Sequence, residues 1–208
     1  MATTSWSMMV SPYKAMGHHA NTRESTFALI EGAVMLRPFT RRDAASAAYL
    51  RWMNDPQVTR TIGRFDYLLP VSRAKLLRYF DDIDMNTAVF LGIYYRTRPK
   101  AKPRMVGTLK LYDIDPLARR ASLGIMVGER SVWGRGVAST AIRAACRYVF
   151  EVLGFEKMAA GYLASNTAMH KAFRKNGFIV EGRLRKQVFF AGRLDDHIMV
   201  GKFRKMGA

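Results

Sequence analysis

Residues 131–140 read Ser-Val-Trp-Gly-Arg-Gly-Val-Ala-Ser-Thr. Gly134 and Gly136 flank Arg135, and an apolar-periodic stretch starts at once. Glycine at a helix opening lets the backbone approach a ligand closely, and the N–H groups of a helix N-terminus favour an anion, often a phosphate. Three phosphate-binding patterns compete here. A P-loop requires Gly-Lys-Ser/Thr, which does not occur in the chain. A dinucleotide fingerprint requires G-x-G-x-x-G/A and an acidic residue closing the next strand, but Ser139 holds the third position and Glu156 precedes its strand. A pyrophosphate cradle of successive backbone N–H groups requires small residues at alternate positions and a basic neighbour. Arg130, Arg135, Gly136 and Ala138 meet that requirement. Beside it stands the plain alternative of a strand-to-helix turn that uses glycine for positive φ, and the turn by itself leaves both open.

The turn must be held by the elements around it. Upstream, residues 121–127 (ASLGIMV) read as a strand. Downstream, Ala138, Ala141, Ile142, Ala145, Cys146, Val149, Val152 and Leu153 repeat at i, i+3, i+4, an amphipathic helix closed by Gly154. Before the turn come a strand in VMLRPF, one helix through Ala44–Met53 stopped at Asn54-Asp55-Pro56, a second helix over about 71–82, and strands at 88–95 and 104–114. The basic, proline-bearing run RTRPKAKPR between those strands reads as a solvent-exposed hairpin loop, or as a patch for an anionic partner. After the turn helix come a strand over 157–164, a short helix over 166–177 ended by Asn176-Gly177, and a hairpin of two strands about Ala191-Gly192. The order β-α-α-β-β-β-α-β-α-β-β predicts a mixed α/β domain with much antiparallel pairing, about seven strands and about four helices, rather than a doubly wound parallel sheet. Residues 1–30 show neither period and read as a flexible arm before a single domain over 31–208.

With 49% apolar residues the chain can bury a sizeable core, yet no stretch approaches the ~20 apolar residues of a membrane helix. The lone Cys146 rules out an internal disulfide, and the early residues lack a secretory core, so the reading is cytoplasmic. The 34 Lys plus Arg against 16 Asp plus Glu give a net charge of +18, a field that draws polyanions such as RNA, a phosphate-rich cofactor or a nucleotide-linked substrate.

The stretch from Val34 to Phe203 resembles the GNAT acetyltransferase superfamily, and within it the RimJ/RimL-type branch. The Q/R-x-x-G-x-G/A motif of that family falls on Trp133, Gly134, Arg135, Gly136, Val137 and Ala138, with Trp at the Gln/Arg position. Asn166 followed by a helix closing in Gly177-Phe178, the opening LRPFTRRDAASAAYLRWMNDPQVTR and the closing EGRLRKQVFFAGRLDDH follow the family's order.

The resemblance implies a GNAT-like, mostly antiparallel sheet and acetyl-CoA as donor, with no metal. It implies that backbone from Arg135 to Ser139 holds the CoA pyrophosphate, with charge added by Arg130 and Arg135. It also implies splayed strands on either side of the turn, where the pantetheine arm pairs with Ile125, Met126 and Val127, and where the Met126 N–H stabilises an oxyanion. Asn166 would hydrogen-bond the pantetheine, or serve as a helix N-cap. The family's usual Tyr acid falls on Phe173, which has no proton to give, so solvent, Ser165 or Tyr162 is left to protonate the thiolate. For the base that deprotonates the amine, Asp113, Asp115, Glu129, Asp195, Asp196 and His197 compete with plain turn, cap and surface roles; His197 has the suitable ordinary pKa. The acceptor implied is a protein N-terminal amine, with a small amine such as a nucleotide-linked amino sugar, aminoglycoside or polyamine as the alternative. The protein would act as a monomer or homodimer. A non-catalytic RNA- or ribosome-binding protein on the same scaffold is the contrasting class, motivated by the charge and the missing Tyr.

Overall fold

The computed structural model describes residues 27–63, 69–85, 87–98, 100–190 and 192–204. The chain opens with β1 (Leu29–Glu31) and β2 (Val34–Pro38), paired over a turn whose Gly32 has φ of 57°. Four short helices follow: α1 (Arg41–Ala44), α2 (Ala47–Met53), α3 (Pro56–Thr59) and α4 (Arg73–Asp81). Each begins at a polar cap. Thr40 forms a capping box with Asp43, and Ser46, Asp55 and Ser72 accept backbone N–H bonds at the next three starts. The single helix expected through Ala44–Met53 is therefore two. Ser46 takes an extended backbone and caps α2, and the apolar spacing survives the break because both pieces face the same core.

Next come β3 (Val89–Tyr95), β4 (Arg104–Asp115) and β5 (Arg120–Val127) as an antiparallel meander. A 3₁₀ turn at Arg130–Val132 leads to α5 (Val137–Arg147), which continues as a wider turn through Tyr148–Val152 and ends at Gly154, φ 68°. The chain then forms β6 (Lys157–Leu163), α6 (Thr167–Lys175) and the long hairpin β7 (Ile179–Phe190) and β8 (Arg193–Phe203). One sheet has the order β1-β2-β3-β4-β5-β6-β8-β7, and only β5 and β6 run parallel. The described residues thus hold eight strands rather than about seven, and six helices rather than about four. The extra strand is β1, whose Leu29 and Ile30 fell within the arm read over residues 1–30, and the sheet already begins there. Phe27 packs edge-on against Tyr148 at 5.4 Å; residues 1–26 of that arm lie outside the described residues.

The sheet separates two apolar layers. Leu91 and Ile93 of β3 join the core under α5 and α6, while Phe90 joins Phe39, Tyr49, Trp52 and Leu76 on the face covered by α1, α2 and α4. The same alternation runs along β5: Ile125 and Val127 pack toward α5, Met126 toward the Trp52 cluster. Where the sheet is covered on both faces, a ligand reaches its backbone only at an edge or at an opening between strands.

Candidate active site

That opening lies between β5 and β6. Their pairing runs from Arg120 opposite Lys157 to Leu123 opposite Ala160 and stops. Beyond it, Gly124–Val127 pair with β4, and Gly161–Leu163 pair with β8. The edges facing the gap carry backbone N–H and C=O groups with no strand opposite, and such groups demand a partner. The direction of each group follows from two hydrogen bonds. The Arg119 carbonyl accepts from Glu156 N at 2.7 Å and Lys157 N at 3.2 Å, and the Val127 carbonyl accepts from the Trp133 indole Nε1 at 2.8 Å. Successive residues of a strand turn their backbone groups to opposite edges, so Ile125 and Val127 present theirs to the gap and Met126 turns its own to β4. The N–H donor expected at Met126 is corrected on this ground: its neighbours occupy the open edge. Residue types along β5 do not give this phase; the hydrogen bonds of the Arg119 and Val127 carbonyls do.

The glycine turn sits at the end of β5. Glu129 caps the 3₁₀ turn through Ser131, and Gly134 and Gly136 have φ of 75° and 76°. A Cβ on either glycine would touch nothing within 4 Å, so the backbone conformation rather than crowding requires glycine. Gly136 is the N-cap of α5 and gives no side-chain hydrogen bond. The first N–H groups of the helix, at Val137, Ala138 and Ser139, thus lack a capping acceptor, at the end where the dipole favours negative charge. Arg130 pairs with Asp55 at 3.7 Å and lies 5.8 Å from the ring of Trp133, itself 43% exposed. Arg135 is exposed and forms no ion pair with a described residue. Ser139 is buried: its carbonyl and Oγ each accept from Asn176 Nδ2 at 3.0 Å, which ties α5 to α6.

Both features open into one cleft of about 1530 Å³. Ile125, Met126, Val127, Trp133, Gly134, Gly136, Val137, Ala138, Ser139, Asn166 and Phe173 all line it; Arg130 and Arg135 flank the turn outside it. Asn166 caps α6, its Oδ1 accepting from Met169 N at 3.1 Å. Phe173 is 2% exposed and stacks on Tyr162 at 5.9 Å. The Tyr162 hydroxyl lies 2.7 Å from His170 Nδ1, and Ser165 Oγ donates to Asp195 at 2.6 Å, so both hydroxyls that could replace the missing Tyr already have protein partners.

Of the carboxylates weighed as bases, most are occupied. Asp195 is held below the usual carboxylate range by Ser165, and Asp196 by the Lys186 N–H and the Arg183 guanidinium. Glu129 is bound to Ser131 and paired with Arg51 at 3.2 Å, and Asp115 accepts from Ala118 N at 2.9 Å. Asp113 and His197 line the cleft. Asp113 sits in the β4 bulge at φ 48°, a strained conformation for a residue with a Cβ. His197 lies against the backbone of Gly161, where a Cβ would come within 2.4 Å of its Nε2, and burial lowers its pKa from 6.5. Sequence reading missed the wall at the other end, formed by Tyr49, Met53, Arg60, Asp82, Asp84 and Lys110. Its one signal is the acidic cluster Asp81, Asp82 and Asp84 at the end of α4.

A mixed sheet opened at its one parallel pair, beside an uncapped helix start, offers room and backbone donors for an extended, phosphate-bearing ligand. Residues 33–179 match the family model described as an acetyltransferase (GNAT) domain, and the chain belongs to that family. It is 26% identical over 159 residues to the uncharacterized N-acetyltransferase YoaA of Bacillus subtilis, covering 76% of this chain and 86% of that one. It is 28% identical over 96 residues to a spermidine N(1)-acetyltransferase of Vibrio cholerae, spanning 46% of this chain and 55% of that enzyme, about half its length. Among solved structures, the Vibrio cholerae spermidine N-acetyltransferase in complex with CoA and spermine superposes with a TM-score of 0.70 at 22% identity, over 83% of this chain and 96% of that one. RimL, a ribosomal L7/L12 alpha-N-protein acetyltransferase in complex with CoA, gives 0.72 at 16% identity, over 86% and 98%. No helix among the described residues is long and apolar enough to cross a membrane.

Proposed function

We propose that the protein transfers the acetyl group of acetyl-CoA to a primary amine by direct attack in a ternary complex. The observation that carries this is the gap after Leu123 and Ala160 beside the uncapped start of α5. The N–H groups of Val137, Ala138 and Ser139 hold the pyrophosphate, and Arg130 and Arg135 add positive charge at its edge. The open edge of Ile125 and Val127 pairs with the amide-bearing arm, and one of these two N–H groups meets the negative charge developing on the thioester carbonyl oxygen. His197 accepts a proton from the amine. Its lowered pKa keeps the imidazole neutral at pH 7, the form a base requires. Phe173 cannot protonate the departing thiolate, so solvent does.

The acceptor is a small amine carrying a second positive centre, of the polyamine type. Within a chain of net charge +18, the cleft lining sets Asp82, Asp84 and Asp113 beside Arg60, Lys110, Lys171 and Lys175, a near balance of sign that admits a cation. The likeness to spermidine N-acetyltransferases supports the same choice. A protein N-terminus is the second reading, favoured by the width of the cleft and the likeness to RimL.

Calorimetric titration with acetyl-CoA tests the donor. Wild type is expected to bind one equivalent and Gly136→Glu none, because the new carboxylate stands at the anion site. Absence of binding to wild type overturns the reading. Thiol release with spermidine set against an N-terminal peptide then decides the acceptor, and preference for the peptide selects the second reading.

A further inference from the structure

The hairpin joining β3 to β4 lies outside the cleft, yet it concentrates charge. Arg96, Arg98, Lys100, Lys102 and Arg104 fall within nine residues that contain no carboxylate, and all five are exposed. Several basic residues elsewhere find acidic partners: Arg41 with Asp81, Arg119 with Glu156, Arg143 and Arg147 with Glu31, Lys157 with Glu181. Arg98, Lys100 and Lys102 pair with no described carboxylate. Arg104 bonds Ser131 Oγ at 3.0 Å and so fixes the base of the hairpin against the turn before Gly134. None of the five lines the cleft.

We infer that this hairpin is a docking surface for the phosphate backbone of nucleic acid, independent of the transferase site. The close spacing of Arg98, Lys100 and Lys102, which pair with no described carboxylate, on a two-stranded projection matches a polyanion. The residues between the charges are threonine, alanine and proline, without a large apolar side chain to insert into a bilayer and without an aromatic ring on which a base could stack. Recognition therefore rests on phosphate alone: it is indifferent to base sequence and falls steeply with salt.

The test is fluorescence anisotropy of a labelled 20-nucleotide RNA against wild type and the triple variant Arg98→Gln, Lys100→Gln, Lys102→Gln, across a range of salt. Wild type is expected to bind equally to two RNAs of unrelated sequence. Since each neutralised phosphate of a single strand contributes about 0.7 to the slope of log K against log salt, the variant's slope is expected to be shallower by about 2. Its affinity at low salt is expected to fall at least tenfold. An unchanged slope, no binding by wild type, or preference for anionic vesicles over RNA overturns the proposal. Acetyl-CoA titration of the variant separates this from the transferase reading: the expected cofactor affinity equals that of wild type, and a loss there together with RNA binding would mean that hairpin and cleft are one site, which also overturns it.

Discussion

His197 and Gly161 pack as a pair in the cleft, since a side chain at position 161 and the imidazole cannot share the space. Burial disfavours the charged imidazole, so activity is expected to rise through a pKa below 6.5 and stay level above it. His197→Gln is expected to remove that acidic limb and lower kcat/KM by roughly 10²–10⁴; a pH–rate series reads both. The same residue affects stability. The unfolded chain takes up a proton at this histidine more readily than the folded one, so its contribution is intact above pH 6.5 and is lost as the pH falls below it. Asp113 gives the contrasting case: Asp113→Asn preserves the limb if His197 is the base and abolishes the rate if Asp113 is.

At the scale of elements, α5 and α6 are coupled by one side chain. Asn176 Nδ2 donates to the Ala172 carbonyl at 2.8 Å as well as to Ser139, and the residue is buried. Asn176→Ala leaves those buried acceptors unpaired and is expected to cost about 1–3 kcal/mol in denaturant unfolding. Ser139 is at the start of α5, so acetyl-CoA affinity is expected to fall as well; Ser46→Ala, a cap lost far from the turn, is expected to cost about 1 kcal/mol and leave affinity unchanged. These elements also mark what a sequence discloses. Gly134 and Gly136 announce the turn because positive φ selects a residue type. Asn176 reads as an ordinary Asn-Gly stop, since nothing local says that its amide reaches another helix. The break at Ser46 hides inside a helical period, and the Met126 donor was misplaced because strand phase is set by pairing and bulges rather than by residue type.

For the whole molecule, sign and place of charge diverge. The surface field of +18 suits phosphates, while Asp82 and Asp84 bring negative charge into the lining of the cleft. Neutralising both, as Asp82→Asn with Asp84→Asn, is expected to raise KM for spermidine about 2–30-fold, the range for two solvent-accessible ion pairs. The acetyl-CoA affinity is expected to stay put, because these residues belong to the opposite wall. That wall comes from the helices before β3, whose sequence signals only a second apolar layer.

The gap between β5 and β6 has a mechanical side as well. The sheet's two halves, β1 to β5 and β6 with β8 and β7, are stitched by four residue pairs, Arg120–Leu123 with Lys157–Ala160. Past that seam, the amides of Ile125 and Val127 lack a strand to shield them, whereas that of Met126 is turned to β4. A bound donor would act as a temporary length of strand and zip the halves together. Residue-resolved amide exchange should therefore slow at 125 and 127 on addition of acetyl-CoA and hold steady at 126, an every-other-residue signature of a substrate that completes the sheet it enters.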